Sequence, residues 1–412
     1  MSEWSQVPFS DLLIESRDGE WGEGQEAFGH QLCEVIRGTD FAILNDPSIE
    51  LPLRWIRDHL VERKRLTIGD ILFEMAGGTA KQSTGRSALL KGTFFQDHEG
   101  PILCASFCRH LRLNLKRHDS AFIYYLLQAL YKAGYMAVYN IQHTGVSRFQ
   151  YTSFKKQTVL DVPLLPTQKK IAATLSAYDD LIENNQRRIV LLETMAEEIY
   201  REWFVRLRFP GHEKVKFVKG LPADWDIKRV KEIVTRKQFG RIYREAELFD
   251  GGQVVIIDQS RVDCLGYHDG EAQHLASPDS PILLFGDHSC KMILMTKPFS
   301  LAENVIPFNS KPNVSPYFLF HLVKDLARTT EYKRHWTDLM NREVLVPVKT
   351  LQVKFEGSVK RNHEEIEILR EAIRKSEKVR NMLLPRLISG KLSVENLDIQ
   401  FPPGMVEPIH ET

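Results

Sequence analysis

Two stretches of the chain carry apolar residues at alternating spacings of three and four. In the first, one seam runs Ile171, Tyr178, Asn185, Leu192, Ile199, and its companion runs Leu175, Ile182, Ile189, Ala196, Trp203. In the second, the seams are Phe355, Asn362, Leu369, Ser376, Leu383 and Val359, Ile366, Ile373, Arg380, Leu387. This spacing puts every named residue on one stripe of a helix. No proline interrupts either run before Pro210-Gly211 in the first and Pro385, then Gly390, in the second, which are the expected stops or kinks. Each helix is therefore predicted to run about 30 to 36 residues, or roughly 45–55 Å. An apolar stripe that long must be covered. Two stripes matched in length and period predict two helices that cover each other; the other solution is two amphipathic helices packed on separate cores. Asn185 and Asn362 in the seams cost stability but fix register and partner number.

The two stretches are copies of one another. VPLLPTQKKIAATL (162–175) and VPVKTLQVKFEGSV (346–359) lie 184 residues apart, and at that offset Val162 meets Val346, Pro163 meets Pro347 and Gln168 meets Gln352. The upstream sequence rhymes too. AFIYYLLQALYKAGY (121–135) precedes the first copy and SPYFLFHLVKDLARTTEY (315–332) the second, both helical in pattern. The first half carries about 11 more residues before its Val-Pro, around YNIQHTGVSRF. Further upstream, TIGDILFEM (67–75) and PILCASF (101–107) read as strands in the first half, as do QVVIIDQS (253–260), PILLF (281–285) and CKMILM (290–295) in the second. Gly77-Gly78, Gly251-Gly252 and Pro278-Asp279 mark turns. The predicted fold class is α+β: two mixed α/β globules separated by two long antiparallel helices that form a coiled coil, with a pseudo-twofold internal repeat.

Composition narrows the function. The chain has 412 residues, 43% hydrophobic and 26% charged, enough for two to four units of an ordinary globular protein. No apolar run approaches the roughly 20 residues of a membrane helix, and MSEWSQVPFSDLL has no secretory pattern, so a cytoplasmic protein with no membrane association is expected. Five scattered cysteines do not make a disulfide framework. Cys104, Cys108 and His110 lie in ILCASFCRHLRLN, which reads as one buried strand with no second ligand pair, so no metal is expected. The net charge of +1 argues against a DNA-binding surface spread over the whole molecule and leaves room for local basic loops.

Catalytic motifs are absent from the sequence. GGTAKQSTGRS (77–87) resembles a phosphate loop, but six residues separate Gly78 from Gly85 and Arg86 stands where lysine belongs. A turn that touches DNA phosphate is the better reading. Pro278-Asp279 and Glu331-Tyr332-Lys333 supply the parts of a nuclease motif, at too long a spacing. No glycine-rich S-adenosylmethionine motif and no Asn-Pro-Pro-Tyr tetrapeptide occur, nor a Gly-x-Ser-x-Gly elbow or a His-Glu-x-x-His helix.

LPTQKKIAATLSAYDDLIENNQRRIVLLETMAEEIYREWF (165–204) resembles the central conserved region of type I restriction enzyme specificity subunits. LPADWDIKRVKEI (221–233) is similar to the opening of that family's target-recognition domains, and RNMLLPRLISGKL (380–392) to its closing segment. RLTIGDILFEMAGGTAKQSTGRSALL (65–90) looks like the Gly-Asp strand and Gly-Arg loop of such a domain. The second helix departs from the family in lacking the Glu-Gln start and in carrying Gly357. The resemblance implies a first target-recognition domain at 1–160, a central helix at 161–212, a second recognition domain at 213–345, a C-terminal helix at 346–400 and a tail at 401–412. It implies a non-catalytic subunit that reads a split asymmetric site in double-stranded DNA and scaffolds two modification subunits, with restriction subunits in the full complex. S-adenosylmethionine, ATP and Mg2+ would be bound by those partners and no cofactor by this chain. The alternatives are a specificity subunit of a motor-less methyltransferase system, a coiled-coil adaptor that binds only proteins, and a nuclease using Asp279 and Lys333.

Base readout calls for Arg, Lys, Asn, Gln or His on loops. Candidates in the first globule are Lys81, Gln82, Arg86, Lys91, Arg148, Lys155 and Lys156; those in the second are Lys237, Gln238, Arg241, Arg244, Gln259, Arg261, His288, Lys291 and Arg342. Tyr139, Phe149 and Tyr151 interleave with basic residues and suit either the DNA backbone or the core. Asp179, Asp180, Glu183, Glu193, Glu197 and Glu198 read as a solvated helix face, with Asp179, Asp180 and Glu183 as candidate contacts to partner subunits.

Overall fold

A computed structural model describes residues 4–44, 49–78, 82–96, 98–143, 146–249, 251–260, 264–328 and 334–401. The chain forms two compact units, Met1–Arg187 with Arg370–Thr412, and Arg188–Leu369. Two long helices, Leu165–Tyr200 and Lys349–Ile388, each give one part to either unit. Every seam position named in pairs above, from Ile171 to Leu192 and from Phe355 to Ile373, is buried or half-buried. The helices run antiparallel within both units. In unit 1 Ile171 and Leu175 share a core with Leu387 and Leu384, and Arg380 pairs with Asp179. In unit 2 the Asn362 amide donates to the Leu192 carbonyl at 3.5 Å and Arg188 pairs with Glu365 at 2.8 Å. The seams are not covered by helix on helix alone. Ile171 and Leu175 also enter the core of the unit 1 globule, and Phe355 and Val359 that of unit 2.

Pro385 does not stop the second helix. It lies inside it, and the helix continues to Ile388. Leu384, Leu387 and Ile388 are buried in the unit 1 core, and the apolar burial of those three side chains offsets the roughly 3 kcal/mol that an interior proline costs. The stop is Gly390, at φ +70°, with its N–H bonded to the Leu387 carbonyl at 3.2 Å. Gly357 leaves the second helix intact, since Lys349 already begins it.

Each unit builds the same frame. In unit 1 an antiparallel sheet orders Leu13–Asp18, Cys108–Leu113, Ile71–Glu74 and Ser87–Leu89. In unit 2 the same order is filled by Val234–Arg236, Val305–Ser310, Ile282–Gly286 and Met292–Met295. A three-stranded sheet accompanies each. His30–Ile36 lies antiparallel to Leu53–Arg57 and parallel to Ile102–Cys104, and Val254–Ile257 lies antiparallel to Gly266–His268 and parallel to Phe299–Leu301. The strands read in the sequence are among these. ILCASFCRHLRLN, however, is two strands joined by a turn, not one.

Both long helices start from the same clasp. Before the first, Val159–Val162 pairs with Ser5–Pro8; before the second, Glu343–Val346 pairs with Asp226–Arg229. Gln168 then donates its amide to the Pro163 carbonyl at 2.8 Å and accepts from the Asp119 N–H at 2.9 Å. Gln352 donates to the Pro347 carbonyl at 2.7 Å and accepts from the Ser315 N–H at 2.8 Å. Asp119 and Ser315 cap the helices Ser120–Lys132 and Pro316–Val323. Both glutamines are buried, so each satisfies a proline carbonyl and a cap N–H that water cannot reach. A second rhyme was not read from the sequence. Trp4, Phe9 and Leu12 match Trp225, Val230 and Ile233, with Trp4 against Phe122 and Trp225 against Phe204 and Phe209.

The extra residues of the first half form a hairpin, Asn140–His143 with Val146–Phe149, which adds Ala76–Gly78 as a third strand. Gly77-Gly78 is thus strand, not turn. Among the described residues no helix is long and apolar enough to cross a membrane.

Candidate nucleic-acid interface

In both units the carboxyl ends of the parallel strand pair meet the loops of the antiparallel sheet at one rim. At the unit 1 rim, Ala105 donates its N–H to the Ile36 carbonyl at 2.8 Å and Met75 donates to the Phe107 carbonyl at 2.8 Å. On the other side of Met75, its carbonyl accepts from the Phe149 N–H at 2.9 Å, which brings Arg148 to the same place. Arg148 and Gln82 are exposed there. Arg37 follows the strand His30–Ile36, whose last two residues are buried, and pairs with Asp40 at 2.8 Å; hydrogen bonding to that carboxylate holds the guanidinium above its usual pKa.

At the unit 2 rim the same bonds recur with other side chains. Ala302 donates to the Ile257 carbonyl at 2.9 Å, and Asp287 donates to the Asn304 carbonyl at 2.9 Å. His288 donates its backbone N–H to the Gln259 side-chain oxygen at 3.1 Å. The Asp287 carboxylate accepts from the Trp336 N–H at 3.0 Å, and Arg334 lies 3.8 Å from it. Lys291 closes the same loop, its carbonyl accepting from Gly286 at 2.8 Å. Lys237 extends the edge strand, its N–H on the Pro307 carbonyl at 2.9 Å. The chain then passes exposed Gln238 and Arg241 to Tyr243, whose N–H reaches the Leu301 carbonyl at 3.0 Å. Arg241 pairs with Glu247 and lies 4.8 Å over the Tyr243 ring, which stacks on His268. Arg244 is exposed beside them.

Other candidates stand elsewhere or carry charge that is already used. The Arg86 guanidinium is not a free phosphate contact. It holds buried Glu74 through two bonds at 2.5 and 2.9 Å and donates to the Gly38 carbonyl at 2.9 Å. Lys91 lies at the opposite end of the strand Ser87–Leu89, 2.8 Å from Asp180 and 3.6 Å from Glu183. Burial alone would lower its pKa, but the two carboxylates outweigh burial and hold the ammonium above its usual range. Lys155 and Lys156 sit on the helix Tyr151–Gln157, whose inner side buries Tyr151 and Phe154. Arg342 immediately precedes the strand pair before the second long helix, and its carbonyl accepts from the Val230 N–H at 3.0 Å. Lys81, Arg261 and the Glu331-Tyr332-Lys333 triplet lie outside the described residues. Tyr139, Phe149 and Tyr151 are core.

Part of the acidic helix face is likewise committed. Asp179 accepts from the Tyr125 hydroxyl at 2.5 Å and pairs with Arg380, and Glu183 pairs with Arg187 at 3.0 Å. In unit 2 Glu197 takes the His321 ring at 3.5 Å and Lys324 at 2.9 Å; these bonds, that of His321 foremost, pull its carboxyl down to about 2, while burial holds His321 below its usual pKa. Asp179 and Glu183 thus brace unit 1 internally, whereas Asp180 and Glu193 are exposed, as expected of a solvated face. Burial pushes the Cys104 thiol up to about 12 and Cys108 higher still, and among the described residues no group of three or more His, Cys, Asp or Glu is placed to hold a metal ion.

The rim residues that the sequence did not announce are Arg37, Phe107, Asn304 and Arg334. Arg37 carried a usable signal, a basic residue directly after the apolar pair Val35-Ile36. Phe107 was hidden inside the single strand read for ILCASFCRHLRLN (102–114).

Residues 59–194 match the model of the type I restriction modification DNA specificity domain. The chain is 27% identical over 310 residues to the type I restriction enzyme MjaIX specificity subunit of Methanocaldococcus jannaschii, covering 68% of this chain and 70% of that protein. The putative MjaX specificity subunit of the same organism is 21% identical, over 95% of this chain and 94% of its own length. The crystal structure of a type I restriction-modification system S subunit from M. genitalium superposes with a TM-score of 0.57 at 17% identity, covering 94% of this chain and 96% of that one. That likeness establishes the fold.

Proposed function

The chain belongs to the type I restriction–modification specificity subunits, and on that premise we propose that its two units each read one half of a split, asymmetric site in double-stranded DNA. The observation that carries this reading is the repeated frame with unlike rims. Two copies of one scaffold, each hydrogen-bonded at the same backbone atoms, present different side chains at the same place. Arg37, Gln82 and Arg148 stand at one rim and Gln238, Gln259, His288 and Lys291 at the other. Arg and amide side chains are the residues that discriminate bases in the major groove, while neighbouring lysines and arginines add the sequence-independent hold on phosphate. Two readers in one chain make the second contact intramolecular, which multiplies specificity. The recognition folds lie within 1–160 and 213–345.

Methyl transfer and cleavage fall to partners: two modification subunits that bring S-adenosylmethionine, and restriction subunits that use ATP and Mg2+. The long helices offer the modification subunits exposed apolar side chains, Leu181 and Met382 in unit 1 and Leu191, Met195 and Ile368 in unit 2. The carboxylates Asp179 and Glu183 turn inward and contribute to bracing instead. The test is a competition band shift with the chain and its modification subunits. Arg148→Ala should lose discrimination only against duplexes altered in the unit 1 half-site, and Gln259→Ala only against those altered in the unit 2 half-site. Equal binding of all duplexes by all variants would reject the reading.

A further inference from the structure

The unit 1 rim carries an aromatic side chain that the frame holds out into solvent. Phe107 is 61% exposed at the third position of the turn Ala105–Cys108, closed by the Cys108 N–H on the Ala105 carbonyl at 2.8 Å. The turn is pinned on both flanks. Gly19 and Glu20 donate to the carbonyls of Cys108 and Cys104 at 2.9 and 2.7 Å, and Met75 donates to Phe107 itself at 2.8 Å. Gly19 is required there, because a Cβ would meet the Ala105 and Cys104 carbonyl oxygens at 2.2 Å. Cys104, Ala105 and Cys108 on either side are buried, so the turn cannot fold Phe107 inward without tearing out its neighbours.

A single exposed apolar residue is ordinary; a rigidly presented one among cations at a rim is not explained by the core. Arg37 follows the strand on one side, and Arg148 lies beyond Met75 on the other. The equivalent place in unit 2 is Asn304, an exposed amide at φ +62° whose carbonyl makes the same bond to Asp287. The frame therefore does not need an aromatic there. Resting on the DNA-reading function above, we propose that Phe107 reads a thymine in the unit 1 half-site by packing on its C5-methyl group in the major groove, beside the bases read by Arg37 and Arg148. Of the base edges, only thymine offers an apolar group in that groove, and a preorganised ring adds contact area without paying to be ordered.

The experiment uses the chain with its modification subunits and a duplex bearing the mapped site, each thymine replaced in turn by deoxyuridine, which removes only the methyl. Wild type should lose about fourfold in affinity at one position of one half-site, the worth of one buried methyl group. Phe107→Ala should bind the thymine duplex about that much more weakly and become indifferent to deoxyuridine at that position, with responses in the other half-site unchanged. Phe107→Leu should keep the response. A Phe107→Ala complex that still senses every deoxyuridine as wild type does would overturn the proposal, as would a unit 1 half-site with no thymine on either strand. Failure of wild type to prefer its site over a scrambled duplex would instead remove the DNA-reading function itself.

Discussion

At the turn before the central strand of the antiparallel sheet, unit 1 carries Phe107 and unit 2 carries Asn304, yet Met75 and Asp287 bond to the two backbones in the same way. Beneath that turn the difference deepens. Unit 1 has Glu74 buried under Arg86, whereas unit 2 has Gly286 at the end of the matching strand. At the start of the long helices the difference vanishes, and Gln168 and Gln352 make the same pair of bonds. Identity is therefore kept where buried backbone groups leave one solution, and lost at the rim, where many side chains satisfy the same backbone. A reader of two different half-sites needs that division.

The comparison can be broken most strongly at Arg86. Arg86→Met strands the Glu74 charge in the interior and should cost about 3–5 kcal/mol, at the lower end because Arg86 is partly exposed. The loss should fall on unit 1 alone in a denaturant melt, and adding Glu74→Leu should restore most of it. An unchanged melt would mean that the pair is solvated. Gln168→Leu and Gln352→Leu sharpen the opposite point. Each leaves a proline carbonyl and a cap N–H without a partner, so each should destabilise its own unit by about 2–4 kcal/mol, and clearly unequal losses would show that the clasps are not equivalent. Asn304→Gly removes the amide while keeping the positive φ that glycine accepts without strain. It should relax one base of the unit 2 half-site by about 1–3 kcal/mol of discrimination and leave the unit 1 half-site as it was, as read by methylation mapping.

The smallest effect is that of pH. Burial holds His110 and His118 in unit 1, and His268, His274 and His321 in unit 2, below their ordinary value. A folded-state pKa below 6.5 means that the unfolded chain takes up protons first. This stabilisation is therefore complete above pH 6.5 and is lost as pH falls through the folded values. Glu15 and Glu197, each pulled down to about 2, add stability that is present above pH 4.5 and lost on the way to pH 2. Melts at stepwise lower pH should show both losses, the first with unit 2 ahead; a stability flat between pH 6.5 and 5 would contradict burial of the histidines.

What was legible in the sequence was what burial fixes. The heptad seams and the Val-Pro-Gln repeat follow from residue types with few substitutes in the interior, and the extra length of the first half follows from counting residues between the repeats. What was not legible depends on partners. Arg86, Lys91 and Asp179 show their charge in a sequence but not the Glu74, Asp180 or Arg380 that consumes it. The match of Trp4 with Trp225 was missed for a geometric reason. Equivalent residues lie 221 apart there but 184 apart at the glutamines, because unit 1 has the longer rim loops and the added hairpin, so no single offset aligns the halves. Phe107 was lost because ILCASFC (102–108) contains no glycine, proline, asparagine or aspartate to mark its turn.

The central claim is that two unlike rims on one frame read two unlike half-sites. Single-molecule mapping of adenine methylation, in cells that express the modification subunits with and without this chain, tests it most directly. The account predicts that one split motif, two different half-sites around an unread spacer, appears only when the chain is present. A methylome unchanged by the chain while all subunits are expressed, or a motif read as a single continuous block, would contradict it.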